Sequence, residues 1–195
     1  MKKEEEKMLV IDKTNCNAVC RISPDGSAEA YDFPAAAWKP IPAVSDNLLE
    51  ITDSDLQNLI RAFTLAEAVH KGQTDKAGKP YIAHPLRVAQ LVDGGPDELM
   101  VAFLHDVVED TSTSLDDLRK SGFSETVVNG VDCMTRRSGE PREAYLERLK
   151  PNPVARAVKL ADLTHNSDLS RIPQPTEKDR LRVEEYRSET AFLKQ

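Results

Sequence analysis

One short segment of the sequence carries four side chains that are suited to metal-assisted acid–base chemistry. His105 and Asp106 are followed one turn later by Glu109 and Asp110. On a helix, side chains four residues apart lie on one face, so His105 would lie over Glu109, and Asp106 over Asp110. Each row pairs a potential metal ligand with a carboxylate. Such a segment could bind a divalent ion and act on a water beside it.

Two other segments offer groups that would complete a metal site. Asp162 comes one helical turn before Asn166, and His84 stands at the start of a predicted helix, where its ring is free to point into a cleft. Two imidazoles and two carboxylates would balance the charge of a divalent ion. Mixed nitrogen and oxygen ligands favour manganese, iron or zinc over calcium. The proposed ligands are His84, His105, Asp106 and Asp162.

Simpler structural explanations exist for each of these signals. Asp162 could pair only with Lys159, and a His-Asp pair often forms a surface ion pair. Glu109 and Asp110 could form a solvated helix end, although acids at a helix C-terminus oppose the helix dipole. The combination of three spaced segments favours the functional explanation. In it, Glu109 and Asp110 orient and deprotonate the attacking water.

The pattern after residue 50 predicts the helices that must position these groups. The first helix, capped by Thr52 or Ser54, has apolar residues at helical spacing and ends at Gly72. A third helix is expected to run unbroken from residue 97 to about 109. The remaining periodic segments give an all-α bundle of about seven or eight helices with a small N-terminal β-hairpin appendage. No strand pattern follows residue 50.

Residues 1–50 differ in pattern from the rest and are predicted to be a separate element. A short strand over 8–12 precedes two extended runs joined by Ser23-Pro-Asp-Gly26, which is a hairpin signal. Pro34, Pro40 and Pro42 indicate a Pro-rich linker. The predicted division is a β-element with its linker over 1–50 and a helical domain over 51–195.

Composition limits the classes of function. The 26 basic and 33 acidic residues give a net charge of −7, which argues against a nucleic-acid partner. No apolar run is long enough for a membrane span, and the N-terminus lacks the features of a signal peptide. We therefore expect a cytoplasmic protein with no membrane or nucleic-acid partner, and the sequence predicts no particular oligomeric state. A small anionic substrate remains compatible with an acidic chain when a bound cation reverses the local field.

Four motifs, in this order, resemble the hydrolase domain of RelA/SpoT-type proteins, which are HD-domain phosphohydrolases. They are His70-Lys-Gly-Gln73, Pro80-Tyr-Ile-Ala-His84-Pro85, His105-Asp-Val-Val-Glu-Asp-Thr111, and Lys159-Leu-Ala-Asp162 with His165-Asn166. The resemblance spans roughly residues 51–190. Because the chain ends soon afterwards, it resembles the small single-domain alarmone hydrolases, with no synthetase or regulatory domain.

This resemblance implies a fold and an activity. The fold is an HD-domain helical bundle, and residues 51–195 are expected to form an HD-type metal-dependent phosphohydrolase domain. The activity is manganese-dependent removal of the 3′-pyrophosphate from guanosine tetra- or pentaphosphate (ppGpp or pppGpp), which yields GDP or GTP. By motif position, the implied metal ligands are His84, His105, Asp106 and Asp162.

The resemblance also implies roles for residues around the metal. Glu109 and Asp110 correspond to the catalytic pair. The implied substrate contacts are Lys76, Asn166 and Tyr186.

The sequence departs from the family pattern in the part that recognises the base. Asp75 precedes Lys76, where the family usually has an arginine, and an acid cannot stack as a cation on a base. Two alternatives therefore stay open. One is an HD phosphohydrolase acting on another nucleotide, such as NADPH or a nucleoside phosphate. The other is a nucleotide-binding sensor without turnover.

Overall fold

The computed structural model describes residues 7–76 and 78–195, whose contacts divide the chain into two units. The first unit ends at Arg61, and the second runs from Ala62 to Gln195. Helix α1 (Asp53–Val69) begins in the first unit and continues into the second. The side chain of Thr52 accepts the amide of Asp55, and the Asp55 carboxylate accepts the amide of Thr52. This reciprocal pair caps α1 as the sequence predicts.

The first unit contains an antiparallel sheet in the order β4-β3-β2-β1-β5. The turn joining β2 to β3 has Gly26 at φ +83°, a backbone conformation that favours glycine, and this confirms the predicted hairpin. The strands are β1 (Met8–Asp12), β2 (Ala18–Ile22), β3 (Ala28–Asp32), β4 (Ala37–Ile41) and β5 (Leu48–Glu50).

The Pro-rich stretch predicted to be a linker is instead the edge strand β4. Pro40 pairs with Glu29 of β3, and at a sheet edge its missing N–H can face away from the ladder. Trp38 of β4 packs against Tyr31, with ring centroids 5.2 Å apart. The guanidinium of Arg21 lies 4.4 Å from the centre of the Trp38 ring. Aromatic and cation–π contacts across three strands therefore extend the predicted hairpin into a larger sheet that includes part of the expected linker.

The second unit is helical, which confirms the predicted fold class of an all-α bundle with a small N-terminal β-element. Its capping residues include Ser114, Ser124, Asn152 and Thr176. The helices are α2 (Ala83–Leu91), α3 (Pro96–Leu104), α4 (Val107–Asp110), α5 (Leu115–Lys120), α6 (Glu125–Met134), α7 (Arg142–Leu149), α8 (Pro153–Asn166) and α9 (Glu177–Leu193).

Helix α3 lies at the centre of this unit. Its residues from Leu99 to Leu104 are all buried, and it packs against α2, α6 and α8. Within the described part of the chain, no helix combines the length and hydropathy that a membrane crossing requires.

The predicted unbroken helix over 97–109 is wrong, because the chain leaves the helix at His105 and Asp106. The Nδ1 atom of His105 lies 2.8 Å from the carbonyl oxygen of Ala102. In a continuous helix that carbonyl would accept the amide of Asp106. The His105 ring thus occupies the carbonyl that a helical amide would otherwise use. Helix α3 ends at Leu104, and α4 begins at Val107.

Gly130 allows α6 to approach α3 closely. A Cβ atom at this position would lie 2.7 Å from Cγ2 of Val101 and 3.4 Å from Cγ1 of Val154. Contacts of this length with buried branched side chains leave no room for a methyl group.

We predict that Gly130→Ala lowers the free energy of unfolding. Overpacking costs about 1–3 kcal/mol, which exceeds the gain in helix propensity of up to about 1 kcal/mol. Urea denaturation should show a net loss of about 1 kcal/mol or more. Asn129→Ala, an exposed change on the same helix, is the control and should leave stability unchanged or slightly raised. Equal behaviour of the two variants would contradict the close contact.

Candidate metal centre

Three of the four predicted metal ligands, His84, His105 and Asp162, form one group in the second unit, with ligand atoms within 4.8 Å of one another, and Asp106 lies beside it. Nε2 of His84 lies 3.2 Å from Nε2 of His105, 3.3 Å from Oδ1 of Asp162 and 3.6 Å from Oδ2 of Asp106. Nε2 of His105 lies 2.9 Å from Oδ2 of Asp106. Ligands about 2.1 Å from a single ion lie about 3.0–3.5 Å from one another. The separations of His84 from His105 and from Asp162 lie in this range, so these three residues could hold one divalent ion, with Asp106 next to His105.

Three structural elements bring these groups together. His84 lies in the first turn of α2, and Asp162 lies on α8. His105 and Asp106 form the break between α3 and α4. In a continuous helix, consecutive side chains point about 100° apart. The break lets two residues adjacent in sequence point at the same place.

The outer nitrogen of each imidazole is already engaged, so only Nε2 faces the cluster. Nδ1 of His105 donates to the carbonyl of Ala102. Nδ1 of His84 lies 2.7 Å from Nδ1 of His165. Burial, followed by the charges of His84 and Arg171, lowers the pKa of His165 to about 4, so this ring is neutral and can accept. Nδ1 of His84 is then the donor to His165.

The donor set therefore requires a positive charge at its centre. Two imidazole Nε2 atoms and two carboxylate oxygens meet there, and each can offer a lone pair to a cation. Burial lowers the pKa of His105, but the Asp106 carboxylate more than offsets this and raises it to about 9. Burial likewise opposes ionisation of Asp106, while the His105 charge lowers the pKa of Asp106 to about 2. The cluster attracts either a proton or a metal cation.

Asp162 is held in its ionised form by two neighbours on α8. Nζ of Lys159 donates to Oδ2 of Asp162 at 2.8 Å, and Nδ2 of Asn166 donates to Oδ1 at 2.5 Å. Asp162 is 4% exposed. Burial opposes its charge, but Lys159 dominates and keeps the pKa of Asp162 well below its ordinary value. The same pairing offsets burial at Lys159 and raises the pKa of its ammonium group.

Tyr81 is a site residue that the sequence analysis did not identify. Its hydroxyl donates to Oδ2 of Asp106 at 2.5 Å and lies 3.4 Å from Oδ2 of Asp110. Burial and the Asp106 charge raise the pKa of Tyr81, so the hydroxyl keeps its proton. A signal was present, because Tyr81 lies three residues before His84, a spacing that places two side chains on one face.

The two predicted catalytic acids have different surroundings. Asp110 shares Tyr81 with Asp106, which agrees with the predicted row of Asp106 over Asp110. Burial, followed by the Asp106 charge, raises the pKa of Asp110 and makes its carboxylate more basic. Glu109 does not follow the predicted pattern. Its Oε2 accepts the amide of Arg136 at 2.8 Å, and this is its hydrogen bond in the described part of the chain. The break after α3 removes the helical stacking on which the second row depended.

The three predicted substrate contacts have different surroundings. Asn166 touches a proposed ligand directly, through Asp162. Lys76 is exposed in the loop before α2, and partial burial followed by the charge of Arg182 lowers its pKa. Tyr186 is half-buried on α9, and burial raises its pKa.

Asp75, the residue that departs from the family pattern, lies next to a cation. Its Oδ2 lies 3.6 Å from Nη1 of Arg171, and its Oδ1 accepts the amide of Lys79 at 2.9 Å. The position predicted to lack a positive charge therefore has an arginine from a later part of the chain beside it.

Comparison with known proteins identifies one family and several relatives. Residues 62–168 match a family model described as an HD domain. A GTP pyrophosphokinase of Streptomyces coelicolor is 38% identical over 135 residues, covering 63% of this chain and 16% of that protein. A probable guanosine-3′,5′-bis(diphosphate) 3′-pyrophosphohydrolase of Synechocystis is 40% identical over 122 residues, covering 55% of this chain and 16% of that protein.

Two further matches come from a bacterial and a metazoan protein. The bifunctional (p)ppGpp synthase/hydrolase SpoT of Escherichia coli is 32% identical over 130 residues, covering 60% of this chain and 18% of that protein. The chain thus spans less than a fifth of the length of these curated relatives. A solved structure described as a metazoan ortholog of SpoT has a TM-score of 0.58 at 24% identity. It covers 70% of this chain and 84% of that chain, which shows a shared fold.

We predict that affinity for Mn²⁺ rises with pH up to about 9. The pKa of His105 is raised to about 9, so below that pH the ion must displace a proton from its Nε2. One released proton gives about a tenfold gain in affinity per pH unit, with a plateau above the pKa. Calorimetric titration in two buffers of different ionisation enthalpy measures both the affinity and the released proton. An affinity independent of pH between 6.5 and 8.5 would contradict this proton displacement.

Proposed function

Because the chain belongs to the HD-domain family, we propose that it is a metal-dependent phosphohydrolase of the cytoplasm that removes the 3′-pyrophosphate of ppGpp or pppGpp. The observation that carries this proposal is the grouping of His84, His105 and Asp162, whose ligand atoms lie within 4.8 Å of one another, with Asp106 2.9 Å from Nε2 of His105. The names of the relatives from Synechocystis and Escherichia coli support the choice of substrate.

The proposed cofactor is one Mn²⁺ ion, with Fe or Zn as alternatives. Two imidazole nitrogens and two carboxylate oxygens suit a borderline transition metal better than calcium or magnesium. When bound, such an ion would lower the pKa of a coordinated water and polarise a phosphoryl oxygen. Lys159 and Asn166 would keep Asp162 ionised and correctly oriented for that role.

Asp110 is the proposed general base. Its raised pKa gives it more proton affinity than an ordinary carboxylate, and the Tyr81 hydroxyl lies 3.4 Å from Oδ2. Asp110 takes a proton from the attacking water as oxygen adds to the phosphorus next to the 3′-oxygen. The bond from phosphorus to the 3′-oxygen then breaks, the 3′-oxygen takes up a proton from Asp110 or solvent, and pyrophosphate and GDP or GTP are released. Glu109, fixed by the amide of Arg136, is proposed to orient the water.

Cations around the cleft are proposed to receive the nucleotide phosphates. Lys76 is exposed and lies within electrostatic reach of Arg182 and Arg171. Positive charges that lie close together raise one another's energy, so an anion placed among them is favoured. Tyr186 is the proposed contact for the nucleoside.

One observation favours a second substrate. Asp75 pairs with Arg171 in the loop that would face the base, so recognition of guanine could differ from that of the relatives. Another nucleotide such as NADPH is therefore the second candidate. A sensor without turnover has less support, because Tyr81 and Asp110 are arranged as a base and its hydrogen-bond partner.

We predict that Asp110→Asn and Glu109→Gln each abolish most of the turnover while Mn²⁺ binding is retained. Loss of a general base lowers the rate by about 10²–10⁴-fold, and neither residue belongs to the proposed ligand set. Pyrophosphate release from ppGpp and metal content by mass spectrometry are the measurements. Asp116→Asn, whose side chain is 76% exposed, is the control. Full activity in Asp110→Asn would exclude this residue as the base.

A nucleotide panel distinguishes the proposed substrates. We predict that kcat/KM for ppGpp with Mn²⁺ exceeds that for NADPH and for nucleoside triphosphates. Assays of phosphate and pyrophosphate release under identical metal conditions give the ranking. Selective turnover of NADPH would establish the second candidate, and binding without turnover of any nucleotide would support the sensor.

A further inference from the structure

His70 is a buried histidine that the proposed mechanism does not use. It is 2% exposed, and its Nδ1 lies 2.8 Å from Oε1 of Gln73. An amide oxygen accepts but cannot donate, so the ring must donate from Nδ1. The Nε2 atom of His70 is buried and has no hydrogen-bond partner among the residues that the structure describes. These contacts therefore place a proton of the ring on Nδ1, next to the Gln73 oxygen.

The orientation of the Gln73 amide connects this histidine to the proposed base. With its oxygen facing His70, the amide presents Nε2 to the carbonyl oxygen of Asp110 at 3.3 Å. Asp110 is the last residue of the four-residue helix α4, and the next residue, Thr111, is extended at φ −136°. The carbonyl at a helix end has no partner within the helix. Gln73 supplies that partner from another part of the chain.

The same loop also contacts the carboxylate of Asp110. The Tyr81 amide donates to the carbonyl of Gln73 at 3.0 Å, and the Tyr81 hydroxyl lies 3.4 Å from Oδ2 of Asp110. The rings of His70 and Tyr81 pack with centroids 4.7 Å apart. His70 therefore touches both groups that reach Asp110, one through a hydrogen bond and the other through ring packing.

We propose that His70 is a positioning residue whose Nδ1–H fixes the Gln73 amide, so that Gln73 and Tyr81 hold Asp110 at its backbone and at its carboxylate. This inference rests on the proposed function, in which Asp110 acts on the attacking water. A base displaced from its water by a fraction of an ångström loses rate without losing substrate affinity. Removing His70 should therefore lower kcat and leave KM unchanged.

Two amide substitutions separate this role from simple packing. The side-chain nitrogen of asparagine occupies the place of Nδ1, whereas that of glutamine occupies the place of Nε2. We expect His70→Asn to keep kcat within about threefold of the unchanged protein, and His70→Gln to lower it about 10–100-fold. KM, Mn²⁺ content and the melting temperature of the two variants should agree, since a general packing defect would affect both alike.

A substitution of Gln73 tests the same set of contacts between His70 and Asp110. Gln73→Glu keeps an acceptor for His70 but removes the donor to the Asp110 carbonyl, so kcat should fall as in His70→Gln. Gln57→Glu, an exposed change of identical chemistry on α1, is the matched control and should leave kcat unchanged. Equal kcat in His70→Asn and His70→Gln, or an unchanged kcat in Gln73→Glu, would overturn the positioning role.

A spectroscopic measurement keeps this outcome separate from that of the proposed function. Nitrogen-15 spectra of the full chain should show His70 protonated at Nδ1, and the carbonyl carbon of Asp110 should shift in His70→Gln but not in His70→Asn. If the protein turns over no nucleotide, the proposed function fails while these shifts still decide the positioning. An Nε2-protonated His70, or a carbonyl signal that is identical in both variants, would overturn the inference directly.

Discussion

Mutual repulsion among four electron-rich atoms is the constraint on which the rest of the second unit depends. Two Nε2 atoms and two carboxylate oxygens meet in a buried place, where uncompensated like charge is strongly unfavourable. The surrounding groups respond to that constraint. Lys159 neutralises Asp162 at 2.8 Å, and the His105 ring has an increased affinity for protons. The charged groups that stabilise the cluster therefore lie on the helices that form it.

The arrangement also resolves an apparent conflict between an acidic chain and an anionic substrate. The net charge is −7, yet Lys76 lies within electrostatic reach of Arg171, Arg182 and Lys178. Local fields within a Debye length, not the total charge, govern the approach of a small ligand. Arg171 pairs with Asp75 and Arg182 with Asp179, so Lys76 is the cation of this group proposed to receive the phosphates of a nucleotide.

Much of this fold and site could be predicted from sequence because the relevant signals are local. Helical periodicity and capping residues such as Ser114 and Thr176 depend on neighbours within one turn, and the structure has these caps. The proposed ligands come together because each lies in a motif with characteristic spacing. The roles of all the predicted site residues stay predictions: the metal ligands His84, His105, Asp106 and Asp162, the catalytic acids Glu109 and Asp110, and the substrate contacts Lys76, Asn166 and Tyr186.

The failures have non-local causes. Pro40 suggested a linker, but an edge strand tolerates proline when its partner is on one side only. The break at His105 arises because a ring nitrogen takes the Ala102 carbonyl, and only the fold determines where that ring points. Arg136, which engages Glu109, lies 27 residues away, so no helical spacing could reveal it.

Helix α4 has only four residues, so it has no helical stability of its own. Its shape is imposed from outside, by the turn at His105 and Asp106 on one side and by Gln73 and the Arg136 amide on the other. The proposed proton transfer at Asp110 would thus take place on a short helix that depends on these outside contacts for its order. Catalytic competence and local order in this segment should be gained and lost together.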